Sequence, residues 1–251
     1  MNDTTLFKMK QMKLYGMHHA FLGAIETGKM DGYTQDELLA MLIDAEYDDR
    51  HTRRIERGIK NARFRYKASV ENVIYDQLRN IDKNTIIRYA AGGYIKKGES
   101  ILITGSTGVG KSYIASALGY QACIEGYRVV YYNTAKLLAR LKMAKADGSY
   151  LKELARIERQ HLLILDDFGL QPMDNQNRLN LLEIIEDRHG KGSIIITSQL
   201  PVSEWHSVIG EKTVADAILD RIVHQSYRVE LHGESMRKKR GKPSNETNEE
   251  N

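Results

Sequence analysis

The stretch Ser100-Ile101-Leu102-Ile103-Thr104-Gly105-Ser106-Thr107-Gly108-Val109-Gly110-Lys111-Ser112 decides the fold. Its first part is an apolar run suited to a buried strand. Its last eight residues fit G-x-x-x-x-G-K-S. The run that follows, Tyr113-Ile114-Ala115-Ser116-Ala117-Leu118, suits a helix packed on a sheet. A strand, a glycine turn and a helix start in that order form a phosphate cradle. The glycines let the backbone turn its N–H groups inward, toward an anion. Lys111 can reach β- and γ-phosphates, and the Ser112 hydroxyl can ligate Mg²⁺. The expectation is a nucleoside triphosphate with Mg²⁺, cradled by Gly105, Ser106, Thr107, Gly108, Val109, Gly110, Lys111 and Ser112.

Further along, β-rich runs recur at Val129–Tyr132, Leu162–Leu165, Ile194–Thr197 and Tyr227–Leu231, separated by segments of helical length. Continuous apolar strands alternating with helices imply a parallel sheet buried on both faces, here of five strands. The strand at Leu162 ends in Asp166-Asp167. Such a pair also starts turns and caps helices. Downstream of a phosphate loop it reads as the second half of an ATP site: Asp166 on Mg²⁺, Asp167 orienting or deprotonating the attacking water. The strand at Ile194 runs into Thr197-Ser198-Gln199. Carboxyl ends of parallel strands face the ligand crevice, so Gln199 is expected near the γ-phosphate. In Ala217-Ile218-Leu219-Asp220-Arg221-Ile222, Arg221 suits phosphate charge. By periodicity alone it is equally a solvated residue paired with Asp216 or Asp220.

The chain has 251 residues, 41% of them hydrophobic, and a net charge of +4. That size allows one large α/β domain and a small appendage, and the mild basic excess permits nucleic acid as a partner. The single cysteine, Cys123, has no internal disulfide partner and reads as a buried thiol. No apolar run approaches the length of a membrane span, and the N-terminus lacks a secretory pattern. A reducing cytoplasm is the expected location. The histidines show no metal-site spacing.

Residues 1–67 read as a small all-α domain. Thr34-Gln35-Asp36-Glu37 has capping-box spacing, and Leu38, Leu39, Leu42, Ile43, Ile55, Ile59 and Ala62 recur as one stripe. Gly16, Gly23 and Gly58 weaken the helical pattern near them. Residues 68–98 form a lead-in with short helices closed by Gly92-Gly93, residues 68–233 the ATPase domain, and residues 234–251 a polar, disordered tail. Residues 50–67 hold eight basic side chains against one acid. Arg50, Arg53, Arg54, Arg57 and Lys60 lie broadly along one side of a helix, with Arg63 beyond, and can neutralise duplex phosphates. A charge run is more commonly a solvated face; the size of this excess favours DNA, contacted through its backbone. A second set, Lys136, Arg140, Lys142, Lys145, Lys152, Arg156 and Arg159, is balanced between DNA and solvent-facing pairs with Glu153 and Glu158.

The run of motifs Gly105–Ser112, Leu162–Gly169 with its Asp-Asp-Phe-Gly end, Thr197-Ser198-Gln199, Ala217–Ile222 and Gly233-Glu234-Ser235-Met236-Arg237 resembles AAA+ ATPases of the initiator and helicase-loader clade, which includes DnaA and DnaC. It resembles more closely the IstB family, helper ATPases of bacterial insertion sequences. The resemblance spans almost the whole chain. It implies that Arg221 reaches the ATP of a neighbouring subunit and that Arg237 reads the γ-phosphate of its own. It implies extra helices facing DNA from Thr134 to about Gln160, where Lys142 and Lys145 lie. It implies a homo-oligomer on double-stranded DNA that assists a cognate transposase, with a DnaC-like replicative helicase loader as the alternative. Many relatives carry Asp-Glu where this chain has Asp166-Asp167, which implies a slow, switch-like ATPase. A small-molecule kinase would share the phosphate loop but leave residues 50–67 without a use.

Overall fold

A computed structural model describes residues 2–224 and 226–236, and it separates into two compact units, Met1–Arg57 and Gly58–Asn251. Arg237 and the rest of the tail lie outside the described residues. Among the described residues, no helix is long and apolar enough to cross a membrane.

The first unit holds helices α1 (Asn2–Gln11) and α2 (Tyr15–Glu26), a 3-10 turn (Lys29–Gly32), and most of α3 (Gln35–Ala62). The capping box forms. The Thr34 N–H donates to Glu37 Oε2 at 2.8 Å, and the Glu37 N–H donates back to Thr34 Oγ1 at 3.3 Å. Gly16 does not break α2. A Cβ there would lie 2.2 Å from the Ala45 carbonyl oxygen, so glycine permits α2 and α3 to touch. Glu46 fixes that crossing by accepting from the Gly16 and Met17 N–H groups at 2.8 and 3.2 Å.

The units divide within α3, upstream of the boundary that composition suggests near residues 66–72. The reason lies in packing: Ile59, Ala62 and Phe64 pack into the core of the second unit. Gly92 is left-handed (φ +73°) and joins α4 (Lys83–Ala90) directly to α5 (Gly93–Lys97), so the glycine pair punctuates rather than ends the helical lead-in.

Strands β1 (Ser100–Gly105), β2 (Val129–Asn133), β3 (Leu162–Phe168), β4 (Ser193–Ser198) and β5 (Ser226–Leu231) form one sheet, in the order β2-β3-β4-β1-β5, with every pairing parallel. All five lie where the apolar runs predict them. Alternate residues of each strand feed opposite cores. Ile101, Ile103, Leu162, Ile164 and Ile195 pack with α6 (Lys111–Ile124) and the lead-in helices. Leu102, Leu163, Leu165, Ile194 and Ile196 pack with α7 (Thr134–Ala146), α8 (Tyr150–Glu158), α9 (Asn175–Arg188), α10 (Trp205–Ile209) and α11 (Lys212–Val223). Each fully buried aliphatic side chain contributes roughly 1.5–3 kcal/mol. The sheet therefore holds its carboxyl ends rigidly around β1, where the phosphate loop departs.

Candidate functional site

The loop from β1 to α6 is built by three left-handed glycines, Gly105 (φ +142°), Gly108 (φ +87°) and Gly110 (φ +104°). Two are also sterically required. A Cβ on Gly105 would sit 2.3 Å from the Leu231 carbonyl oxygen, and one on Gly108 would sit 2.1 Å from Ser235 Oγ. The Met236 N–H donates to the Gly108 carbonyl at 3.0 Å, so the segment after β5 braces the loop. Arg79, buried behind it, donates to the carbonyls of Ile74 at 2.5 Å and of Val109. The Lys111 ammonium folds into the loop, bonding the carbonyls of Gly105 at 2.7 Å and Ser106 at 2.8 Å.

Asp166 and Asp167 close β3 beneath this loop. The β3–β4 register shifts between Leu165 and Phe168, and Asp167 is left-handed (φ +57°). An irregularity there re-aims side chains that a flat strand would send to opposite faces. Asp166 is fully buried. Its Oδ1 accepts from Ser112 Oγ at 2.7 Å and from Thr197 Oγ1; its Oδ2 accepts from Arg65 Nη1 at 3.0 Å and from the Tyr131 hydroxyl. Burial pushes its pKa up, but the hydrogen bonds from Thr197, Tyr131, Ser112 and Arg65 prevail and hold it below the usual carboxylate range. Asp166 is therefore an anion at neutral pH. Asp167 Oδ2 accepts from Arg65 at 2.9 Å and from Asn133 Nδ2 at 3.1 Å, while its N–H donates to Thr197 Oγ1 at 3.1 Å. Gln199 Oε1 accepts from Thr107 Oγ1 at 2.7 Å, tying the end of β4 to the phosphate loop.

A cleft of about 280 Å³ opens onto Lys111, Ser112, Asp167 and Gln199, while the buried Asp166 does not line it. Thr107, Lys111, Ser112, Asp167 and Gln199 line its polar part; Tyr66, Val73, Ile74 and Tyr113 line its apolar part. A flat base beside a chain of phosphates needs that division. The Ser112 hydroxyl and Asp166 carboxylate are hard oxygen donors set side by side, a set that fits Mg²⁺.

The structure thus brings Lys111, Ser112, Asp166, Asp167 and Gln199 together. Arg221 lies elsewhere: on α11 it pairs with Glu186 at 3.1 Å and does not line the cleft. Of the basic stripe in the first unit, Arg50 bonds Glu46 at 2.6 Å and Arg53 bonds Asp49. These acids lie upstream of residue 50, outside the window that showed a single acid. Arg54 and Arg57 are exposed, as are Lys60 and Arg63 in the second unit. On α7, Lys142 pairs with Asp174 at 3.5 Å and Lys145 stands over the Tyr150 ring at 4.3 Å.

Arg65, Tyr131, Asn133 and Arg79 were not singled out by sequence as site residues. Asn133 was findable. It ends β2 beside Asp166 in register, where strand-end logic applies. Arg65 was hidden in the basic run, and only tertiary structure brings it to Asp166.

The profile of the family described as IstB-like ATP binding protein matches residues 7–244. Two insertion-sequence ATP-binding proteins of Sinorhizobium fredii (strain NBRC 101917 / NGR234), y4pL and y4uH, are each 41% identical, over 96% and 94% of this chain and 98% and 95% of their own. Among solved structures, the DnaC helicase loader superposes with a TM-score of 0.56 at 23% identity, over 66% of this chain and 97% of its own. DnaA from Aquifex aeolicus, bound to AMPPCP, gives 0.56 at 19% identity, over 67% and 51%. The fold is that of the AAA+ ATPases, as the motif order implied. The chain belongs to the IstB-like ATP binding protein family and is an ATPase.

Proposed function

We propose that this protein is an ATP-dependent DNA-binding regulator that oligomerises on duplex DNA and assists a separate transposase in choosing or preparing target DNA. The observation that carries the reading is a cleft lined by Lys111, Ser112, Asp167 and Gln199 in a chain that also presents Arg54, Arg57, Lys60 and Arg63 as exposed cations at the end of α3. A small-molecule kinase gives no role to such a stretch. Insertion-sequence relatives at 41% identity support the transposition context. In this reading residues 1–57 and the end of α3 engage DNA or partner, and the rest of the chain to residue 233 forms the ATPase body.

Lys111 and the loop N–H groups bind the β- and γ-phosphates. Ser112 and Asp166 hold Mg²⁺, which when bound neutralises charge on the phosphate oxygens. Asp167, fixed by Asn133 and the Thr197 contact, orients the attacking water. Gln199 senses the γ-phosphate from the end of β4. Arg221, outside its own cleft, completes the site of the adjoining subunit; Arg237 serves its own. The short Asp167 side chain holds water less closely than a glutamate would, which favours slow turnover. Lys142 and Lys145 add a second DNA-facing surface once their contacts to Asp174 and Tyr150 are exchanged for phosphate.

Sedimentation with duplex DNA, with and without ATP, tests the reading. A defined oligomer on DNA only with ATP, and pull-down of the cognate transposase by that complex, are expected. Binding indifferent to ATP, or capture of a replicative helicase instead of transposase, contradicts it.

A further inference from the structure

Arg65 stands three residues beyond the end of α3, past the left-handed Arg63 (φ +58°). It donates to both carboxylates of the ATP site, at 3.0 and 2.9 Å. A carboxylate has about four lone-pair positions. In Asp166 all four are taken, by Ser112, Thr197, Tyr131 and Arg65. Yet Asp166 is the carboxylate that the site offers to Mg²⁺. A cation bound there must displace one of the four donors. Three are neutral hydroxyls, and two of those belong to buried strand residues, Tyr131 and Thr197. Ser112 is itself a ligand candidate. Arg65 is the charged donor, its side chain is 40% exposed, and it sits on a turn. A guanidinium and a dication on one oxygen repel, so Arg65 is the donor that leaves.

Resting on the Mg²⁺ role given above to Ser112 and Asp166, we propose that Arg65 is a positioning residue that changes partners. It holds the Asp166–Asp167 pair when the nucleotide is absent and holds the polyphosphate when Mg²⁺ and ATP are bound. Arg65 lines the same cleft as Lys111 and Thr107, so the exchange needs side-chain rotation and no movement of a strand. Charge stays compensated at both ends. Without nucleotide, the guanidinium neutralises carboxylates that would otherwise repel ATP. With it, the planar fork matches phosphate oxygens. Arg65 belongs to the basic run by sequence, and its bonds to Asp166 and Asp167 set it apart from that run.

The test uses two binding measurements on the full chain and no turnover. Calorimetric titration with Mg²⁺ alone should show Arg65→Gln binding the metal at least tenfold more tightly than the parent. Titration with the non-hydrolysable analogue AMPPCP at saturating Mg²⁺ should show the same variant binding at least tenfold more weakly. A residue that merely props the fold would weaken both, and that result, or no change in either, overturns the proposal. Arg65→Lys keeps the charge without the fork. It should shift both affinities in the same directions by smaller factors, and it serves where Arg65→Gln does not hold its fold. Lys111→Ala separates the proposal from the reading beneath it, because it should weaken ATP binding by roughly 10–100-fold while binding Mg²⁺ alone as the parent does. A parent that fails to bind ATP with Mg²⁺ sinks that reading and the exchange with it.

Discussion

Thr197 serves both aspartates of β3: one hydroxyl donates to Asp166 Oδ1 and accepts the Asp167 N–H. Thr197→Val keeps the shape and leaves the buried Asp166 carboxylate and the part-buried Asp167 N–H each short of a partner. The expected loss is about 1–3 kcal/mol of unfolding free energy by denaturant titration, with Thr197→Ser close to the parent. Asp167→Asn should separate binding from chemistry. It should hold ATP with affinity changed by no more than a few fold while turnover falls about 10²–10⁴-fold, the range for losing a positioned base. Lys111→Ala should weaken ATP binding by roughly 10–100-fold, the worth of charge-assisted bonds to phosphate. At this scale the sequence was half readable. Gly105–Ser112 and Asp166 stand out because a glycine loop and a carboxylate at the end of an apolar strand are local patterns. The donors that surround Asp166 do not, since Tyr131 and Arg65 reach it from 35 and 101 residues away. Nothing local requires a tyrosine or an arginine at those positions.

Helices and strands were more legible, because burial imposes a period on them. Five apolar runs became five parallel strands, and the Thr34–Glu37 box begins α3. Glycine misled where it served contact rather than turning. Gly16 read as a weak point in a helix, yet it lets α2 approach α3. Gly16→Ala should lower the stability of the first unit by about 1–3 kcal/mol, the usual cost of forcing a methyl into a packed contact, seen as an earlier thermal transition. Glu46 at the same crossing gives a pH signature. Burial raises its pKa, but the Arg50 bond and the Met17 and Gly16 N–H groups prevail and hold it below its ordinary 4.5. A depressed folded pKa means that the stabilisation is present above the unfolded value and fades as pH falls through the folded one. The first unit should therefore lose stability below about pH 4.5, and Glu46→Gln should flatten that slope while lowering stability at neutral pH.

Across the molecule, the order of motifs was enough to assign the class, since an ATP site is assembled from strand ends in a fixed topology. Where the chain divides was harder to read, because α3 runs through the division and only the packing of Ile59 and Ala62 marks it. Cys123 reports on the integrity of the second unit. Its thiol is buried and its pKa pushed up to about 12 by that burial. Alkylation should wait on opening of the fold, slow in native buffer and complete in denaturant; rapid labelling of native protein would place the thiol at the surface. Assembly is the claim that joins all scales, because it needs Lys111 of one subunit and Arg221 of the next in one site. Mixing Lys111→Ala with Arg221→Ala protein on duplex DNA, and measuring ATP hydrolysis, tests it most directly. Each variant alone should be nearly inactive, given roughly 10³–10⁵-fold for an arginine supplied in trans. The mixture should regain a substantial part of parental turnover through hybrid sites. A mixture no more active than the sum of its parts would contradict the account.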